Sequence, residues 1–105
     1  MSDDALIQEI GRRLAGATPA RSSIVLFGSR ARADERTRSD VDVLVIEPYV
    51  DDSVRESARL RRELRGLGVP IDVVVVGQAE ATRRSAVRGT VVERALREGR
   101  ILVDA

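Results

Sequence analysis

Cysteine, histidine and lysine are all missing from this chain of 105 residues, and each absence removes a class of chemistry. Without cysteine there is no disulfide and no thiol nucleophile. Without cysteine or histidine, the usual zinc sites and every catalytic device that needs an imidazole are excluded. Without lysine there is neither a phosphate-loop lysine nor a Schiff base. Aromatics are scarce too: the sole tyrosine, Tyr49, follows Pro48 near a strand exit and reads as a packing residue rather than a base-stacking one. Long apolar runs are also lacking, and Asp3 and Asp4 make the first residues acidic. No signal peptide or membrane span is read, and a cytoplasmic location is expected. Carboxylate chemistry remains.

The 18 basic residues, all arginine, balance 17 acidic ones to a net charge of +1. That balance gives no general field for drawing the chain onto nucleic acid or membrane, so neither is expected as a partner and any anion site must be local. An apolar share of 43% and a charged share of 33% suit a folded globular protein. The length fits one domain over residues 1–105, with a single core and no room for a sizeable second unit.

Leu6, Ile7, Ile10 and Leu14 recur at helical spacing and predict an amphipathic helix over 3–15, ended by Gly16 and Pro19. Ser23–Phe27 reads as a short buried strand that stops at Gly28, with a short helix expected from Arg30. A second β-branched run over 41–46 is closed by Pro48. Ser53 and Glu56 form a capping-box pattern ahead of an arginine-rich helix with Leu60, Leu64 and Leu67 on its buried stripe, ending near Gly66 or Gly68. A third strand is predicted over 71–76. Val87, Val91 and Ala95, with Val92 and Leu96 beside them, then suggest helical segments ending at Gly99, before an extended piece over 101–103. The class is α/β or α+β, a small mixed sheet flanked by helices.

Three features in this pattern bear chemistry. Gly28 and Ser29 follow directly on a strand, where a backbone without Cβ lets a ligand come close and the free amides of a starting helix suit a phosphate; the same pair also makes an ordinary turn with a serine cap. Asp40 and Asp42, two apart at the start of a strand, point to the same face and repel, which a hard divalent cation would relieve; they also fit a solvated loop. Asp72 interrupts an otherwise apolar strand and needs a partner, either one of the arginines or a metal shared with Asp40 and Asp42 if the two strands are neighbours.

Taken together, the stretches Leu26-Phe27-Gly28-Ser29-Arg30-Ala31-Arg32, Ser39-Asp40-Val41-Asp42-Val43-Leu44-Val45 and Ile71-Asp72-Val73-Val74 resemble the signature of the DNA polymerase beta-like nucleotidyltransferases, and specifically the minimal nucleotidyltransferase, or MNT, family. Ala33 departs from the glycine that many relatives carry. The resemblance implies magnesium-dependent attack on the α-phosphate of a nucleoside triphosphate with release of pyrophosphate. It further implies that Gly28 and Ser29 hold the triphosphate, that Asp40, Asp42 and Asp72 bind two magnesium ions, and that Asp72 accepts the acceptor's proton. Arg30 and Arg32, beside the turn, are positioned to neutralise triphosphate oxygens or to serve as plain surface arginines.

Members of the family are often paired with a HEPN-domain ribonuclease toxin, which they neutralise as antitoxins by transferring AMP from ATP to a tyrosine. By this resemblance the chain is an adenylyltransferase whose partner is a HEPN toxin, with no residue singling out ATP among the triphosphates. A non-catalytic module that neutralises its partner by occlusion is the alternative, and the intact Gly-Ser and aspartate set argues against decay of the site. Transfer to a small molecule such as an aminoglycoside is disfavoured, because those enzymes usually add a helical domain.

Overall fold

The apolar runs form strands buried on both faces, which is why they are continuous rather than alternating. The structure is a computed structural model that describes residues 2–28 and 40–104. In chain order it contains α1 (Asp3–Ala17), β1 (Ser23–Phe27), β2 (Val41–Glu47), α2 (Ser53–Glu63), β3 (Ile71–Gly77), α3 (Gln78–Ser85), α4 (Val91–Glu98) and β4 (Arg100–Val103). The strands make one sheet in the order β3-β2-β1-β4. β1 runs antiparallel to β2 and β4, whereas β2 and β3 are parallel. The parallel pair requires a crossover, and α2 provides it.

The period of two divides the sheet between two cores. Val41, Val43 and Val45 pack with Ile24, Leu26 and the α1 and α2 residues Ile10, Leu14 and Leu60. Leu44 and Ile46 face the other way, against Val25, Phe27, Val76 and the small α3 and α4 residues Ala81, Val92 and Ala95. The expected mixed sheet flanked by helices is therefore what the chain forms. Among the described residues no helix is long and apolar enough to cross a membrane.

Several boundaries differ from expectation for physical reasons. α1 runs through Gly16 to Ala17, because the effective stop is Pro19, which holds Thr18 in an extended conformation (φ −111°, ψ 156°). α2 is capped by Asp52, whose carboxylate accepts from the Arg55 amide at 3.1 Å, so the cap lies one residue before Ser53. Glu56 is left to bind Arg59 instead of closing a box. α2 ends at Glu63, short of the positive-φ glycines Gly66 and Gly68. After β3 the helical segments expected up to Gly99 are α3 and α4, parted by Gly89 (φ 91°) and the capping Thr90. The stripe that docks α4 is Val92 with Ala95, leaving Val87, Val91 and Leu96 exposed. The helix expected from Arg30 lies outside the described residues.

Candidate active site

Three strand ends meet at one edge of the sheet. β1 stops at Phe27, which is paired with Asp42, and the parallel register sets Asp42 directly beside Asp72. Neighbouring strands lie about 4.8 Å apart, so the two aspartates are adjacent, and matched positions in a sheet send their side chains to one face. That face is the α3 and α4 side, since Leu44 and Val74, two positions further along each strand, pack there. Asp40, two residues before Asp42, is exposed at the same edge.

Gly28 completes this edge. Its φ of +84° belongs to the left-handed region, and a Cβ built on it would stand 2.5 Å from Asp42 Oδ2. Glycine is thus required twice, by the turn and by the carboxylate packed against it. The sequence suggests a backbone open to a ligand at Gly28; the structure places the Asp42 carboxylate there.

Asp42 is half-buried, and its carboxyl is pushed above the ordinary range. Burial is the largest cause, followed by the charges of Asp72 and then Asp40, with Arg94 on α4 pulling the other way. Among the described residues two acidic neighbours outweigh one arginine, leaving negative charge at this edge that a cation would offset. Among the described residues no three acidic side chains converge as a ready metal cage. Magnesium does not ask for one: it is held by one or two carboxylates together with substrate phosphate oxygens. The adjacent Asp42 and Asp72 fit that requirement, with Asp40 beside them.

Of the residues expected from the sequence, Gly28, Asp40, Asp42 and Asp72 are gathered at this edge. Ser29, Arg30 and Arg32 lie outside the described residues, as do Ala33 and Ser39. Arg94 was not anticipated, and no signal in the sequence marks it: its relation to Asp42 depends on which face of α4 docks, which the exposed Val91 and Leu96 disguise.

Residues 6–102 match the family described as the nucleotidyltransferase domain. Among curated proteins none matches significantly. Among solved structures, the chain is similar to a protein of Sulfolobus solfataricus assigned as a nucleotidyltransferase, at 28% identity and a TM-score of 0.57, over 75% of this chain and 70% of that one. It is also similar to the toxin–antitoxin MntA-HpeT in a mutant form with two aspartates, two positions apart, exchanged for glutamate. There the identity is 16% and the TM-score 0.61, over 100% of this chain and 75% of that one, a likeness of fold.

Proposed function

The chain belongs to the nucleotidyltransferase domain family, and from that premise we propose that it transfers AMP from ATP to a tyrosine hydroxyl of a partner HEPN-domain toxin, acting as its antitoxin. The observation that carries the reading is the in-register Asp42 and Asp72 pair against Gly28, at a sheet edge where, among the described residues, acidic neighbours outweigh Arg94. The likeness of fold to an MntA-HpeT toxin–antitoxin structure supports a toxin as the partner, and the spacing of the two aspartates exchanged there equals that of Asp40 and Asp42.

In the proposed reaction the acceptor oxygen forms a bond to the α-phosphorus, the bond from that phosphorus to the bridging oxygen breaks, and pyrophosphate leaves. Gly28 and Ser29 bind the triphosphate through their backbone amides, the glycine also leaving room for the Asp42 carboxylate beside it. Asp42 and Asp72, with Asp40, are the groups that would hold magnesium, which when bound neutralises charge on the phosphates. Asp72, exposed at the edge, takes the hydroxyl proton as the acceptor oxygen attacks. Arg94 counters the charge at Asp42.

The test is incubation with labelled ATP, magnesium and a HEPN toxin, comparing wild type with Asp40→Ala plus Asp42→Ala. A labelled toxin formed by wild type alone is the expected result. Full neutralisation by the double variant with no label transferred would replace this reading by occlusion.

A further inference from the structure

A second unsatisfied carboxyl lies at the far end of β2. Glu47 is the last residue of that strand, roughly 16 Å along it from Asp42 at about 3.3 Å per residue, and by alternation it faces the α1 and α2 side. It is only 4% exposed, and its Oε2 has no hydrogen-bond partner among the described residues. Its carboxyl lies beside that of Glu56 on the first turn of α2, a neighbour that raises its pKa. The nearby guanidinium is already engaged: Arg59 donates to both oxygens of Glu56, at 2.8 and 2.7 Å, and to the Ala17 carbonyl at 2.7 Å. Arg59 is thus spent on Glu56 and the Ala17 carbonyl, and Glu47 Oε2 is left without a donor among the described residues.

Glu47 lines a cavity of about 320 Å³. Acidic lining residues outnumber basic ones, with Glu47, Asp51, Asp52 and Glu56 against Arg55. Tyr49 stands at its rim, 76% exposed, with its hydroxyl directed to Asp51 Oδ1 at 3.5 Å. The rim is therefore aromatic and acidic around a poorly exposed acceptor.

We propose that this cavity is a docking site for a cationic side chain of a partner protein, an arginine before a lysine. Charge complementarity sets the sign of the ligand. A guanidinium carries five donors and no acceptor, spreads them over a planar fork that can serve Glu47 and Asp51 together, and stacks on an aromatic face such as that of Tyr49. Tyrosine and arginine are the side chains that most often anchor protein interfaces, and Tyr49 is exposed beside this cavity. The site lies at the opposite end of the strand from the aspartate edge, so it stands or falls apart from nucleotide transfer.

Burial, then the neighbouring Glu56 carboxyl, lift the Glu47 carboxyl to about 7, with Arg59 opposing. A cation binds the ionised form, so affinity increases as pH rises through that value.

The experiment is a titration of the ¹⁵N-labelled protein with N-acetylarginine amide, followed by amide shifts, with N-acetylglutamine amide as the uncharged control. We expect saturable shifts at Val50, Asp51 and Arg55 with a Kd on the order of 1 mM, tighter at about pH 8 than at about pH 6. Glu47→Gln keeps the shape and weakens binding about tenfold, the effect of losing a charged partner. Asp51→Asn, on the exposed rim where it cannot disturb the core, weakens it about threefold. Equal shifts from both probes, no saturation by roughly 20 mM, or wild-type affinity in Glu47→Gln would overturn the proposal.

Discussion

Replacing Gly28 by alanine tests the packing of the aspartate edge, and Gly66 provides the control. Both glycines hold positive φ, 84° and 87°. A Cβ at Gly66 meets nothing within 4 Å, whereas at Gly28 it would stand 2.5 Å from Asp42 Oδ2. The conformational cost of a left-handed alanine, about 1–2 kcal/mol, is common to both. For a chain of this size that lowers Tm by roughly 4–16 °C. Only Gly28→Ala must also move the carboxylate, from 2.5 Å out to ordinary contact near 3.4 Å, a displacement of about 1 Å of the kind that costs on the order of 10²-fold when it misplaces a reacting group. Magnesium-dependent ATP binding, measured by calorimetric titration of the isolated protein, separates the two effects. Gly66→Ala should melt earlier and bind as wild type; Gly28→Ala should melt earlier and bind at least about tenfold more weakly. Wild-type affinity in Gly28→Ala, or an equal loss in Gly66→Ala, would refute the idea that glycine is there to seat Asp42.

Asp42→Asn removes a charge that burial and two acidic neighbours oppose, so it should raise Tm by a few degrees while abolishing magnesium-dependent ATP binding; a lower Tm in urea-free melts would contradict the electrostatic account. The Glu47 carboxyl, at about 7 in the fold against an ordinary 4.5, binds its proton more tightly when folded, so its contribution to stability is present below pH 4.5 and is lost as pH rises toward 7. Glu56, held down at about 2 chiefly by Arg59, contributes in the opposite sense, its share being lost as pH falls below 4.5 toward 2. Urea melts should therefore show greatest stability near pH 4.5–5 for this pair, and Glu47→Gln should remove Glu47's share of the decline toward neutrality, on the order of 3 kcal/mol, leaving the part that the raised Asp42 carboxyl contributes; an unchanged pH profile in that variant would exclude Glu47 as a source. Gly99→Ala would drive a Cβ into the Ala95 and Leu26 carbonyls and Val25, a collision with backbone at the α4 and β4 junction, so a loss of about 1–3 kcal/mol is expected in chemical denaturation, and no loss would mean that this junction can shift.

Strand positions and the aspartate edge were legible because their causes are local. Apolar runs closed by Gly28, Pro48 and Gly77 leave few other structures, and a charged residue inside such a run, as at Asp72, marks itself. What escaped depended on choices between close competitors or on contacts across the chain. Asp52 and Ser53 are both good helix caps, and only the backbone path after Tyr49 decides between them. The apolar residues after 86 left the buried face undecided: α3 and α4 dock through Ala81, Val92 and Ala95, small residues that let short helices sit close to the sheet, while Val87, Val91 and Leu96 stay exposed. Glu47 did carry a signal, an acidic residue ending an apolar run before Pro48, but its burial follows from α2 closing over it.

The same crossover accounts for why the aspartate edge exists at all. Asp42 and Asp72 repel each other, so their adjacency is not self-supporting; it is imposed by the register of β2 on β3, which is set elsewhere. Val43 and Val73, then Val45 and Val75, match along the strands and face α2, and Ser57 on α2 donates to the Val73 carbonyl at 2.5 Å. A slip of one residue would turn Val73 and Val75 away from that core and send Asp72 into it, a cost that buried valines and a buried charge make prohibitive. The hydrophobic layer beneath α2 thereby holds two like charges side by side on the opposite face. The aspartate edge is thus maintained by packing on the opposite face of the sheet.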